Sequence, residues 1–317
     1  MRSSFLKVRP GLWLRGVAGG LWSLVLIIIM WRWFEHSQIY HPTRALDVEP
    51  SAWGQPFENV RLTTADGVRI HGWFMPAQSH ALRRDWGVLV LHGNGGNISH
   101  RQELYALLLE MGCNVLAVDY RGYGQSAGRP TEAGTYLDAE AAYDWLRQKG
   151  FPGSRLIALG ESLGCGVATE LAVRKPLGGL VLQSGFTSIP DLGAEIFPFL
   201  PVRWLVKTRY DNRAKLPRIK IPVMILHSRA DGLIGFHHAE RNFAAANAPK
   251  WLEELRGAHN DALLVDRAQY RAALERFFTS WESPSGASRT HKTVESDGSP
   301  QAGTPNGGRS VKSGSAP

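Results

Sequence analysis

Four short, nearly unbroken apolar runs constrain the fold first: WGVLVLH (86–92), NVLAVD (114–119), RLIALG (155–160) and PVMILHS (222–228). Each has the length of a strand, and continuous apolarity is what burial on both faces of a sheet requires. Between them lie segments with helical spacing at 101–112, 132–149 and 163–175. In 132–149, Tyr136, Leu137, Ala141, Ala142 and Leu146 fall on one face. Further strands are expected at 58–64, 68–75, 179–184 and 251–255, and further helices at 236–246 and 261–281. The first two of these strands alternate polar and apolar residues around Ala65-Asp66-Gly67, a hairpin signal. An antiparallel start followed by βαβα alternation predicts one α/β domain over 40–282, a mostly parallel eight-stranded sheet with helices on both faces. The stretch 185–220 breaks this rhythm and is too long for an ordinary connection. It carries Ile189, Leu192, Ile196, Phe197, Phe199 and Trp204 and reads as a small cap insertion. Its apolar residues could line a pocket, face a bilayer or pack on the sheet.

Residues 16–31, GVAGGLWSLVLIIIMW, carry no charge. As a helix they reach about 24 Å at ~1.5 Å per residue, a little short of a hydrocarbon core of ~30 Å. Extending the span to Phe34 lets Arg32 snorkel to the interface beside Trp31 and Trp33. No small-residue cleavage site follows, so 16–34 is expected to be an uncleaved transmembrane signal-anchor. The basic segment 1–15 holds Arg2, Lys7, Arg9 and Arg15. It favours a cytoplasmic N-terminus, with the domain on the outer (periplasmic or extracytoplasmic) side of the membrane. These charges, Arg32 and a basic excess in 283–317 account for most of the net +8 and leave the body near neutral. A nucleic-acid binder would carry its basic stripe on the folded domain, so no nucleic-acid partner is expected. Residues 283–317, rich in Ser, Gly, Pro and Thr, are expected to be a disordered tail.

Two pentapeptides match Gly-x-Ser-x-Gly: Gly124-Gln125-Ser126-Ala127-Gly128 and Gly160-Glu161-Ser162-Leu163-Gly164. Where this pattern joins a strand directly to a helix, it lifts the serine hydroxyl above the sheet edge. Ser162 has that context. Ser126 lacks it, because its strand ends at Asp119 and Arg129-Pro130 stands where a helix would begin. A serine hydroxyl needs a base, and after such an elbow an acid and then a histidine follow in chain order. His259, between the last strand and the last helix, is the candidate base. Asp231, just past the strand 222–228, is the candidate acid that would hold the imidazole in its working tautomer. Asp211 and Asp261 are the other acids available, while His237 and His238 lie too near Asp231 in sequence to serve as the base. An oxyanion hole needs two N–H donors. One is the backbone N–H of Leu163; the other is sought in the loop His92–Asn97, at Asn94, with Gly95 a near alternative. His92 is expected to be structural. Cys113 and Cys165 are too few for a disulfide framework and are expected to be buried small residues. No Cys-His cluster has metal-ligand spacing, and no metal or cofactor is expected.

HGNGGN, DYRGYGQS, GESLG, HSRADG and GAHND occur in that order, with IYHPTR and ADGVRIHGW ahead of them. Together they resemble the α/β-hydrolase superfamily, in particular its membrane-anchored abhydrolase-domain subgroup, related to the serine aminopeptidase-like clan. The resemblance runs from Tyr40 to Trp281. It implies a triad of Ser162, Asp231 and His259, an oxyanion hole at Asn94 and Leu163, and cofactor-free hydrolysis of an ester, thioester or amide through an acyl-enzyme. With a membrane tether, small-molecule, lipid or acylated substrates are the expected partners. An aminopeptidase-like serine peptidase would need an acid for the substrate amine, and the sequence assigns none. A catalytically inactive hydrolase fold used as a binding module is the other alternative, which a broken triad would have favoured. Gly122-x-Gly124-x-x-Ala127 fits a dinucleotide fingerprint only formally, since no helix opens on its third small residue.

Overall fold

The computed structural model describes residues 10–282. The first nine residues of the basic segment and the 283–317 tail lie outside the described residues. The chain starts with a long helix, α1 (Pro10–Ile39), and a two-residue strand, β1 (His41–Pro42). Then come β2 (Glu58–Thr63), β3 (Arg69–Met75), β4 (Gly87–Leu91) and a second two-residue strand, β5 (Gly95–Gly96). The α/β alternation follows: α2 (Gln102–Glu110), β6 (Asn114–Asp119), α3 (Glu132–Gln148), β7 (Leu156–Glu161), α4 (Leu163–Arg174) and β8 (Gly179–Gln183). Three short helices interrupt it, α5 (Ile189–Ile196), α6 (Val202–Leu205) and α7 (Asn212–Lys215). The domain ends with β9 (Val223–Ser228), α8 (His237–Ala245), β10 (Lys250–Leu255), α9 (Ala262–Val265) and α10 (Arg267–Glu282).

Eight strands form one sheet in the order β10-β9-β8-β7-β4-β6-β3-β2. Strand β3 runs antiparallel to both its neighbours, and every other pairing is parallel. Alternation along each strand sends side chains to opposite faces. Leu89 and Leu91 of β4 therefore join one apolar cluster with Ala142 and Leu146 of α3 and Leu171 of α4. Val88 and Val90 join the other, with Leu107 of α2 and Leu274 and Phe277 of α10. This two-sided burial is why the central strand β4 is apolar throughout. The chain leaves β4 to one side through α2 and β6, then returns across it through α3 to β7. The carboxyl ends of β4 and β7 thus flank a topological switch point, where sheets of this kind bind ligands.

One expected element differs. The helix expected over 261–281 breaks at Asp266, whose backbone leaves the helical region at φ −129° and ψ 41°. Its carboxylate accepts from the backbone N–H of Arg256 at 3.1 Å and from the Arg256 guanidinium at 2.9 Å. Aspartate competes for local hydrogen bonds in this way and disfavours helix interiors. The 185–220 stretch holds the three short helices α5–α7. Ser188 caps α5 by accepting from the N–H of Asp191, and Asp211 caps α7 by accepting from the N–H of Ala214.

Helix α1 is also longer than the expected span. Among the described residues it is the one helix long and apolar enough to cross a membrane, over Val17–Ile39. Its large apolar side chains from Leu21 to Met30 are exposed. From Trp31 onward it is docked on the domain. Trp31 donates its indole N–H to the carbonyl of Leu205 at 3.0 Å, and Phe34 meets Phe197 ring to ring at 6.2 Å. The exit of α1 is tied to the loop after β4. The N–H of His41 donates to the Asn94 carbonyl at 3.0 Å, the Asn94 amide donates to the Ile39 carbonyl at 3.1 Å, and β1 pairs with β5.

Candidate active site

Strand β7 ends on Glu161 and α4 begins on Leu163, leaving Ser162 alone to make the turn. Its φ of +53° with ψ −112° is a strained backbone for a serine. Its N–H donates to the Gln183 carbonyl at 2.9 Å, which pins the elbow to β8. The flanking glycines have a steric reason. A Cβ on Gly160 would lie 2.6 Å from the backbone nitrogen of Cys165, and one on Gly164 would overlap the Leu91 carbonyl. Only without those atoms can the start of α4 pack this tightly against β4.

Three side chains converge at the carboxyl end of the sheet. His259 Nε2 lies 3.1 Å from Ser162 Oγ, and His259 Nδ1 lies 2.7 Å from Asp231 Oδ2. The other Asp231 oxygen accepts the N–H groups of Leu233 at 2.9 Å and Ile234 at 2.8 Å. Burial works to raise the Asp231 pKa. The hydrogen bond with His259 and the Ile234 and Leu233 N–H groups outweigh it, and the carboxyl is held below the usual range. A carboxylate fixed from one side by two backbone donors presents its second oxygen in one direction, toward Nδ1. That sets the imidazole with its proton on Nδ1 and a lone pair on Nε2 facing the serine.

Leu163 is the first residue of α4, so its N–H has no partner within the helix. Asn94 follows β4 on the other side of Ser162. Its side chain is committed to Ile39, and its carbonyl accepts from Tyr123 Oη at 2.8 Å and from His41. What Asn94 has left to offer a ligand is its backbone N–H. Two cavities meet at Ser162, and Asn94 borders both, whereas Gly95 borders only the polar one. The first, of about 410 Å³, is apolar and lined by Phe34, Ile39, Ile189, Phe197, Leu200 and Leu163, among others. The second, of about 650 Å³, is lined by Gly93, His100, Arg101, Glu161 and His259. In it Arg101 pairs with Glu161 at 3.2 Å.

The remaining candidates have other duties. His92 is buried, hydrogen-bonds its Nδ1 to the Gly93 carbonyl at 2.7 Å and packs on Tyr120; burial pushes its pKa down to about 3. Ser126 is buried away from these three side chains, and Asp261 accepts from the N–H of Ala258. Burial pushes the Cys165 thiol up, and that thiol donates to the carbonyls of Gly160 and Gln183 at 3.2 Å. Cys113 is likewise buried and free. Glu195, His237 and His238 do gather at metal-ligand spacing. However, His238 Nδ1 accepts the N–H of Thr187 at 3.1 Å, which places its proton on Nε2, where it donates to Glu195 at 3.1 Å. A protonated Nε2 is no ligand, and the group clasps α5 to α8 instead. The wall contributed by α1, and Leu233 and Ile234 beside Asp231, were not singled out from the sequence. The only signal in the sequence was the apolar character of those positions.

Residues 83–211 match the family model described as serine aminopeptidase, S33. The uncharacterized protein Rv2307c of Mycobacterium tuberculosis is 37% identical over 255 residues, covering 80% of this chain and 90% of the relative. The alpha/beta hydrolase domain-containing protein WAV2 of Arabidopsis thaliana is 30% identical, covering 73% of this chain and 83% of the relative. Among solved structures, the Pyrococcus furiosus esterase Pf2001 superposes with a TM-score of 0.64 at 23% identity, covering 77% of this chain and 100% of that one. The chain belongs to the α/β-hydrolase superfamily and is a hydrolase.

Proposed function

We propose that this hydrolase cleaves a carboxylic ester, or a thioester or amide of the same acyl group, through an acyl-enzyme on Ser162. The observation that supports it is the line Asp231–His259–Ser162 at 2.7 and 3.1 Å. In this reading His259 Nε2 takes the hydroxyl proton as Ser162 Oγ attacks the acyl carbon. The tetrahedral oxyanion is met by the N–H groups of Leu163 and Asn94. Collapse expels the leaving group, which takes the proton from His259. Water, deprotonated by the same nitrogen, then releases the acid and restores the serine. Asp231 stays ionised throughout and stabilises the imidazolium. The apolar cavity would take the acyl chain and the polar cleft the leaving group. The exposed stretch Leu21–Met30 would anchor the enzyme in a membrane, with the N-terminus cytoplasmic and the domain outside.

A peptidase reading gains little from the cleft. An aminopeptidase binds the substrate amine with a free carboxylate, and Glu161 is already neutralised by Arg101. The test is labelling by a fluorophosphonate, comparing wild type with Ser162→Ala. Labelling of the wild type alone is expected. Equal labelling of both moves the nucleophile elsewhere. A folded wild type that takes no label favours a binding module.

A further inference from the structure

We propose, resting on the acyl-hydrolase reading above, that α1 is part of the substrate site. A long-chain acyl ester leaves the bilayer along α1 and threads its chain into the apolar cavity between α1 and the α5–α6 segment. Its polar leaving group stays in the cleft beside Arg101.

Helix α1 changes character within one turn. Up to Met30 its apolar side chains are bare; at Trp31 it docks on the domain. Glu35 is buried, pairs with Arg32 at 2.7 Å and accepts the N–H groups of Lys207 at 3.0 Å and Thr208 at 2.8 Å. A carboxylate held in this way belongs inside protein, not hydrocarbon. Trp31 and Trp33 just before it are the residue type that settles at interfacial depth. The bilayer surface therefore falls near Trp31, and the next turns of the same helix, Phe34 and Ile39, are already a wall of the cavity that reaches Ser162.

The facing segment is apolar on its outside as well. Phe199 is 79% exposed and Trp204 is 91% exposed, and α1 touches this segment through Trp31 and Leu205. Exposed aromatic side chains grouped beside a bare apolar helix mark a surface that meets an apolar phase. Continuity with α1 makes that phase the bilayer. On the far side of Ser162 the lining becomes more polar, with His100, Arg101, Gln102 and Glu161 set among leucines such as Leu263 and Leu264. A substrate that satisfies both halves is amphipathic, with its scissile carbonyl at the boundary.

The full chain, reconstituted in phosphatidylcholine vesicles, is assayed on p-nitrophenyl hexadecanoate in the bilayer and on water-soluble p-nitrophenyl butanoate. The wild type should favour the hexadecanoate. Phe34→Ala should lower the hexadecanoate-to-butanoate ratio of kcat/KM about tenfold, the scale set by lost apolar pocket contacts. Gln38→Trp, at an exposed position of the wall, should lower the ratio by narrowing the cavity without disturbing the core. Phe199→Ser with Trp204→Ser, outside both cavities, should raise KM for the hexadecanoate and leave butanoate hydrolysis as it was. Ratios unmoved by both wall variants would overturn the inference, as would a wild type that hydrolyses butanoate and ignores hexadecanoate. Hydrolysis of neither ester, with no fluorophosphonate label, is instead the failure of the acyl-hydrolase reading.

Discussion

The segments 124–128 and 160–164 carry the same pattern, Gly-x-Ser-x-Gly, and each follows a strand of one sheet. At 160–164 the serine is the single residue between strand and helix, with φ +53° and its hydroxyl 3.1 Å from an imidazole. At 124–128 the serine sits in a turn several residues past β6. Its Oγ donates to the Asp119 carbonyl at 2.7 Å and accepts the N–H of His71 at 2.8 Å. The two hydroxyls differ in what is left over. Ser126 has spent its donor and an acceptor on the backbone and holds β3 to β6. Ser162 faces an imidazole and two cavities. The difference lies in the element that follows: a helix start strains the serine outward, whereas a turn lets it fold back.

The comparison is broken most severely if Ser162→Ala retains activity. The expected loss in kcat is about 10⁶-fold, as when a nucleophile is removed from a triad that works as a unit. Ester turnover by the purified full chain reads this directly. Asp231→Asn should cost about 10⁴-fold in kcat, because the imidazole loses the acceptor that fixes its tautomer. The same variant carries a pH signature in stability. The Asp231 pKa is depressed in the folded state, so its carboxylate contributes stability that is present above the unfolded value of about 3.9 and is lost as pH falls through the folded one. The gap in urea midpoint between wild type and Asp231→Asn should therefore narrow on acidification. A gap that widens there would contradict the assigned charge state.

Much of this was legible because period and burial go together in an α/β sheet. All eight strands lie within one or two residues of their expected positions, the inner ones because a strand buried on both faces has nowhere to hide a polar residue. Ser162, Asp231 and His259 could be nominated because each follows a strand at the same sheet edge. The break at Asp266 could not be read, because it depends on where Arg256 arrives from another element. Nor could the role of the end of α1. Trp31 and Phe34 close the apolar span, and Ile39 lies beyond the polar run Glu35–Gln38. Only the partners, Leu205 and Phe197, separate an exposed residue from one facing a cavity.

The smaller predictions sharpen the contrast between the two pentapeptides. Gly164→Ala places a methyl on the Leu91 carbonyl. Relieving that overlap must shift the start of α4, at a cost of about 1–3 kcal/mol for overpacking. It also carries Ser162 away from His259, and a displacement of ~1 Å at a reacting group costs about 10²-fold in rate. Urea unfolding and ester turnover should both register it.

Ser126→Ala should do the reverse. It strips two buried backbone groups, the His71 N–H and the Asp119 carbonyl, of a partner and should cost about 1–3 kcal/mol of stability. The rate of fluorophosphonate labelling should not change, since Ser126 contacts neither cavity. A slowed label in a Ser126→Ala protein of normal fold would mean that the β3–β6 turn is coupled to the elbow, and that the second pentapeptide is part of the site after all. A route for such coupling exists: Asp119 also accepts the N–H of Ile98 at 2.9 Å, on the loop that carries Asn94. Loss of the hydroxyl leaves that bond in place, and this is why stability should fall while the chemistry stays intact.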